Sequence, residues 1–243
     1  MSDDVMVRVD NVSVRYHKQV VLEGVSFDVA RGSVYALLGR NGAGKSSLIR
    51  CLLGVQKPAM GQVMVNGHNV WVNRARVLAS TGYVPETCDA PAGLRVHDIL
   101  AFYKAVYPRW NSTAAADRLK RFGIPERAGV STLSKGQKAL FTLALALGNE
   151  PELLILDDPT LGLDVVARNE FFSDFIGELA DRGTTVVLTT HDLAGVEGIA
   201  DRVGILHGTS LAIDEDIERL KLDRGQSLEQ VFVEATRKSG RLA

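Results

Sequence analysis

Cysteine is scarce: only Cys51 and Cys88 occur in 243 residues. Neither stands in a C-x-x-C pair or a Cys/His cluster, so neither a disulfide framework nor a structural zinc site is expected. An excess of one charge is missing too, since 28 basic and 29 acidic side chains leave a formal net charge of −1. That balance gives no general electrostatic reason to expect a nucleic-acid partner. Long apolar runs are absent. The longest, Ala139 to Leu147, is broken by Thr142 and falls well short of the roughly 18 residues that cross a bilayer. The opening Met1-Ser2-Asp3-Asp4 is acidic, whereas a secretory signal starts basic and turns apolar. Internal repeats and low-complexity stretches are lacking as well. The expectation is a soluble, cytoplasmic chain whose link to any membrane runs through a partner. What is present is ordinary for such a chain: 46% hydrophobic residues, enough for a sizeable core, and 23% charged ones. The length suits one large α/β domain or two small lobes.

The densest signal is Gly39-Arg40-Asn41-Gly42-Ala43-Gly44-Lys45-Ser46-Ser47, which fits the phosphate-loop pattern G-x-x-x-x-G-K-[ST]. Val34 to Leu38 before it reads as a buried strand, and Ser46 to Leu53 after it as a helix closed by Gly54. Strand, loop and helix together are the setting in which the pattern has chemical meaning. The glycines let the backbone wrap so that successive N–H groups point at one anion. The helix N-terminus adds partial positive charge. Lys45 would supply a full charge to the β- and γ-phosphates of a nucleotide, and Ser46 a hydroxyl to Mg²⁺.

Around this loop the chain divides into three. Val5 to Val9, Val12 to Tyr16 and Val25 to Val29 alternate apolar and polar residues, an antiparallel β start. Val63 to Val65 with the turn Asn66-Gly67, and Gly82 to Pro85, read as further strands. From about Arg95 to Asn149 the pattern becomes helical, with helices over Val96–Val106, Ser112–Phe122 and Ser134–Leu147. The α/β alternation then resumes. Strands are expected at Leu153–Leu156, Thr185–Thr189, Arg202–Leu206 and, at an edge, Ser210–Ile213; helices at Asp164–Leu179 and Leu193–Ile199. Continuous Val/Ile/Leu strands between helices argue a parallel sheet covered on both faces. A charged helical tail follows Glu215, with Leu228, Val231 and Phe232 as docking residues.

Leu153 to Leu156 delivers two acids, Asp157 and Asp158, to the C-terminal edge of its strand, where open α/β sheets place ligands. Asp157 suits a Mg²⁺ ligand and Asp158 a base for the attacking water. The bland alternatives are Asp157 as a helix cap or surface turn, Tyr16 as a strand aromatic, His191 as a surface histidine and Glu86 as a solvated loop acid.

Leu133-Ser134-Lys135-Gly136-Gln137 resembles the LSGGQ signature of ATP-binding cassette (ABC) proteins, and the other cassette motifs occur in the family's order. Tyr16 matches the adenine-stacking aromatic, Gly39 to Ser47 the Walker A loop, and Gly82 to Glu86 the Q-loop. Asp157-Asp158 matches the Walker B end, Leu161-Gly162-Leu163-Asp164 the D-loop and His191 the switch histidine. The resemblance spans nearly everything up to residue 213. It implies a phosphate-loop NTPase core with a mostly parallel sheet, an N-terminal antiparallel β subdomain and an inserted helical lobe. Residues 1–243 would form a single ABC ATPase domain, with the lobe at about 87–150 and a tail at about 215–243. It also implies ATP and Mg²⁺ as ligands, Mg²⁺ being held by Ser46, Asp157 and Glu86. Two cassettes, identical or paralogous, would sandwich ATP, each site taking Ser134, Lys135, Gly136 and Gln137 from the other chain. A separate multi-span permease would be the membrane partner, with no nucleic acid expected and the cassettes on the cytoplasmic face.

Three positions depart from the family pattern. Glu86 replaces the Q-loop glutamine and Lys135 a signature glycine, variants that also resemble cassettes of the bacterial type-2 exporter branch. Asp158 replaces the catalytic glutamate and is shorter by one methylene, about 1.5 Å of reach. The expectation is an exporter ATPase that hydrolyses ATP slowly through Asp158, Glu86 and His191. The alternative is a soluble ABC-type clamp or regulatory module. A third class, an unrelated phosphate-loop kinase or GTPase, would need a different base-recognition motif, and no N-K-x-D occurs in the sequence.

Overall fold

The computed structural model describes residues 4–91, 93–107, 109–160 and 183–237; between 161 and 182 it describes only Leu163, Arg168, Phe171, Ile176 and Leu179. The expected D-loop, Leu163 apart, and the expected helix over Asp164–Leu179, four of its residues apart, therefore lie outside the described residues.

The first two expected strands are one. β1 (Val5–Tyr16) runs through a break in its pairing between Val9 and Val12, where Asn11 takes a φ of 49°. This bulge re-phases the alternation, so Val7 and Val9 before it and Val12 and Val14 after it are all buried. Gly61 lies against the bulge at a φ of 77°, so close to the backbone of Asp10 and Asn11 that no β-carbon would fit. β2 (Gln19–Ala30) returns antiparallel to β1, and β4 (Met60–Val65) and β5 (His68–Asn69) complete a four-stranded sheet ordered β2-β1-β4-β5.

The second sheet has six strands: β3 (Val34–Gly39), β6 (Thr81–Val84), β7 (Leu153–Asp157), β8 (Thr185–Thr190), β9 (Arg202–His207) and β10 (Ser210–Asp216). Their order is β10-β9-β3-β8-β7-β6, parallel except for the antiparallel edge strand β10. Every residue of β3, β7 and β8 is buried, as expected of strands covered on both faces. Tyr35 and Leu37 turn toward the antiparallel sheet, where Tyr35 stacks on Phe27 at 4.6 Å between ring centroids. Val34, Ala36 and Leu38 turn to the opposite core.

Eight helices are described: α1 (Lys45–Leu52), α2 (Arg74–Ala79), α3 (Val96–Val106), α4 (Ser112–Arg121), α5 (Lys135–Leu147), α6 (Leu193–Glu197), α7 (Ile217–Arg224) and α8 (Leu228–Arg237). The six-residue α2 escaped sequence reading because it buries only Val77 and so carries no periodicity. Asn111 caps the start of α4 by accepting from the backbone N–H of Ala114 at 2.9 Å.

The helical block α3 to α5 leaves the sheet after β6 and returns at β7, two adjacent strands. α5 joins it firmly to the core. Its Leu143, Ala146 and Leu147 pack on the sheet, while Phe141, Ala144 and Leu145 face the block's own core with Val96, Ile99 and Leu119. The aromatics of the block pack against one another rather than forming a ligand box. Tyr103 meets Tyr107 and Trp110, each at 5.4 Å, and Trp110 sits hard against Gly148.

Candidate functional site

β3, β7 and β8 end at one edge of the large sheet, and the sequence places its chemistry at those ends. A cavity of about 1060 Å³ opens there. It is lined by Gly39 through Ser47, Glu86, Asp157, Asp158 and His191, with Val21 and Phe232 as its apolar members. Residues far apart in the chain are thus gathered at one edge.

The loop owes its shape to Gly42 and Gly44, whose φ angles are 83° and 96°. Gly44 also presses on β2: a β-carbon there would stand 2.6 Å from Cδ2 of Leu22. Lys45 opens α1 and folds back so that Nζ donates to the carbonyls of Gly39 (2.6 Å) and Arg40 (3.3 Å). Burial lowers the Lys45 ammonium from its ordinary range, against the opposing pull of Asp158, Asp157 and Glu86. A lysine drawn down by desolvation beside three carboxylates gains from a polyanion that replaces those carbonyls.

The opposite wall is built of side chains. The Thr189 hydroxyl on β8 donates to Asp157 Oδ1 at 2.7 Å and fixes that carboxylate. Asp158 ends the strand at a φ of 46°, a left-handed conformation that aspartate tolerates better than most residues. Its backbone N–H donates to the Thr189 carbonyl at 3.0 Å. Its Oδ2 lies 2.8 Å from His191 Nδ1, while Oδ1 is buried with no hydrogen-bond partner. Glu86, just past β6, stands exposed at the rim.

These residues suit Mg²⁺ held in the company of phosphates. Among the described residues no three His, Cys, Asp or Glu side chains form a metal cage by themselves. Mg²⁺ characteristically binds through one or two carboxylates plus substrate phosphates and waters. The buried, unpartnered Oδ1 of Asp158 is a polar atom that expects a water or a ligand.

Two groups of expected site residues stay outside this cavity. Tyr16 stands on its flank. Its hydroxyl donates to Gln56 Oε1 at 2.6 Å and lies 3.3 Å from Ser47 Oγ. That Ser47 hydrogen bond, helped by Arg50, draws the phenol below its usual range in spite of burial. The ring is therefore held beside the loop helix with 38% of the residue exposed. Ser134, Lys135, Gly136 and Gln137 open α5 elsewhere on the surface. Ser134 Oγ accepts from the Gln137 N–H, and Gln137 Oε1 from the Ser134 N–H, both at 3.1 Å. This reciprocal cap leaves the hydroxyl proton of exposed Ser134 to point outward, while the Gln137 side chain is engaged in holding the helix start. Lys135 is exposed, and Gly136 rests on Leu163.

Phe232 and Val21 were not legible as cavity residues. Phe232 shows in sequence only as part of an apolar helix stripe, which reveals that a residue packs but not what it packs against.

A family model described as ABC transporter matches residues 22–161. The chain is 32% identical to the linearmycin resistance ATP-binding protein LnrL of Bacillus subtilis, covering 94% of this chain and 75% of that protein. It is 30% identical to the bacitracin transport ATP-binding protein BcrA of Bacillus licheniformis, covering 92% and 74%. A solved ATP-binding subunit of an ABC transporter superposes with a TM-score of 0.85 at 30% identity, covering 95% of this chain and 99% of that one.

Proposed function

The chain belongs to the ATP-binding cassettes of ABC transporters, and on that basis we propose how its own residues drive the cycle. Members of the family bind and hydrolyse ATP as cassette pairs that work with transmembrane components. The resistance and transport proteins among its relatives support export, in the type-2 branch, over a clamp detached from transport. No helix among the described residues is long and apolar enough to cross a membrane. We place residues 1–243 in one ATPase domain, with a lobe at about 87–150 and a tail at about 215–243, working at the cytoplasmic face of the membrane.

One observation carries the reading. The loop, both acids and His191 share one cavity, whereas Ser134 to Gln137 present a capped helix start outside it. A half-site and a spare anion-binding helix end on one molecule call for a second cassette, identical or paralogous. ATP would enter against Gly39–Ser47, with the adenine on Tyr16 and the phosphates on Lys45. Ser46, Asp157 and Glu86 would hold Mg²⁺, which when bound neutralises the β,γ-phosphate charge. The partner's signature would then close over the γ-phosphate. A groove of about 300 Å³ between lobe and sheet, lined in part by Val55, Tyr83, Tyr103 and Trp110, offers an apolar seat for a helix of the membrane partner.

In the hydrolytic step Asp158 would take the proton of the attacking water, with His191 holding the carboxylate through Oδ2. The shorter aspartate stands back from the position a glutamate would occupy. A misplacement near 1 Å can cost about 10²-fold in rate, so slow turnover is expected. The test is steady-state phosphate release. Wild type should exceed Lys45→Ala, and Asp158→Glu should exceed wild type by up to about 10²-fold. Wild-type release no faster than that of Lys45→Ala would sink the hydrolytic reading and leave ATP-driven pairing alone.

A further inference from the structure

We propose that Phe232, on the C-terminal helix α8, belongs to the nucleotide site, where it walls the terminal-phosphate end and makes the tail responsive to triphosphate. The inference rests on the ATP reading of the cavity.

α8 is anchored mainly by other residues, Phe232 packing only partly on the same core. Leu228 and Val231 are buried in the core beneath the large sheet, and Ala235 packs at its margin. The helix start is fixed by Ser227 and Gln230: the Ser227 N–H donates to Gln230 Oε1 at 3.0 Å, and the Gln230 N–H to Ser227 Oγ at 3.3 Å. Positions 228, 231, 232 and 235 form one apolar stripe of spacing i, i+3, i+4, i+7. Within it Phe232 sits on the edge facing the cavity and is only half-buried.

The direction of its approach follows from the packing of the helix. α8 packs on α6 and on β9. The cap of α6 is Asp192, the residue after His191. Phe232 therefore approaches from the His191 side, where Asp158 and His191 meet. Val21, the other apolar liner, lies beside Gly44, where a β-carbon would come within 3.2 Å of its Cγ1.

A phenyl ring set beside the terminal phosphate excludes water from the charges it borders. Coulomb attraction rises as water leaves. A diphosphate does not reach that end, so the ring should discriminate between the two. By the same linkage the triphosphate should hold α8 in place more firmly than the diphosphate does.

The experiment uses the full chain with Mg²⁺, and titrates a β,γ-imido ATP analogue and ADP by calorimetry. Phe232→Ala should weaken the analogue roughly three- to tenfold and ADP by less than about twofold. Phe232→Leu, which keeps apolar bulk, should recover most of the loss. In wild type, amide exchange along α8 should slow with the analogue more than with ADP. Equal loss for both nucleotides, no loss for either, or exchange in α8 indifferent to which nucleotide is bound would each overturn the inference. Because exchange is measured on the wild type, it decides the matter even if Phe232→Ala folds poorly. Lys45→Ala separates the role of the ring from that of the site. If it abolishes analogue binding while Phe232→Ala leaves the nucleotide ratio unchanged, only the role of Phe232 falls. If Lys45→Ala binds as wild type does, the ATP site itself is misassigned.

Discussion

The two walls of the cavity are made of different material. The phosphate-loop wall is mostly backbone: its N–H groups and the start of α1 are positioned by two glycines of positive φ, and Lys45 and Arg40 carry its full charges. The facing wall is mostly side chain: Thr189 holds Asp157 at 2.7 Å and His191 meets Asp158 at 2.8 Å, the two pairs being joined by the Asp158 N–H, which donates to the Thr189 carbonyl at 3.0 Å. Backbone geometry is indifferent to most side-chain substitutions and fails only where a β-carbon intrudes. A side-chain relay is sensitive to a single methylene. Binding and cutting are therefore separable in this chain, and two of its three departures from the family pattern, Glu86 and Asp158, fall on the cutting side.

The largest expected effect tests that separation. Asp158→Asn keeps shape and removes the base, so phosphate release should fall by about 10²- to 10⁴-fold, while ATP affinity stays within about twofold of wild type. A parallel loss of binding would mean that the carboxylate wall holds the nucleotide as well. Gly44→Ala asks the opposite question of the other wall. The new methyl meets Leu22 and demands a φ of 96° from alanine, a strain of about 1–3 kcal/mol. A lower melting temperature and weakened ATP binding should appear together. Unimpaired binding would show that the loop tolerates what its geometry forbids. A smaller effect belongs to Tyr16. Tyr16→Ala should weaken adenine nucleotides by about 1–3 kcal/mol if the ring stacks. Tyr16→Phe, which keeps the ring but loses the Gln56 and Ser47 contacts, should cost about 0.5–1.5 kcal/mol. Equal losses would assign Tyr16 to bracing α1 instead.

The same contrast explains what could be read from sequence. Gly39 to Ser47 was legible because a backbone device demands particular residues in a contiguous run. Asp157 and Asp158 were legible as the end of a buried strand. The hydrogen bond between Asp158 and His191 was not, because it joins two loops 33 residues apart and depends on the φ of Asp158. β1 was misread as two strands because a bulge at Asn11 interrupts its alternation, and α2 was missed because it buries one residue. Phe232 was marked as a packing residue, correctly as far as the stripe goes. Its second face, toward the nucleotide cavity, is set by how α8 lies on α6, which no local pattern encodes.

The two cysteines give the mildest probe of the comparison, since each follows one wall. Cys51 lies in α1 behind the phosphate loop, 2% exposed, and burial raises its thiol to about 11. At pH 8 only about one such thiol in a thousand is ionised, and the thiolate is the form that alkylates. Cys88 lies two residues beyond Glu86 and is partly exposed. Iodoacetamide at pH 8 should therefore modify Cys88 and spare Cys51, as mass spectrometry of the digested protein would resolve. ATP should leave Cys51 unreactive, because the backbone wall is already formed in the free protein. At Cys88 it should change the rate by roughly twofold or more, because the side-chain wall tightens only when phosphates and a cation arrive. Modification of Cys51 at a comparable rate would mean that α1 opens in solution, and would place the flexible wall on the binding side after all.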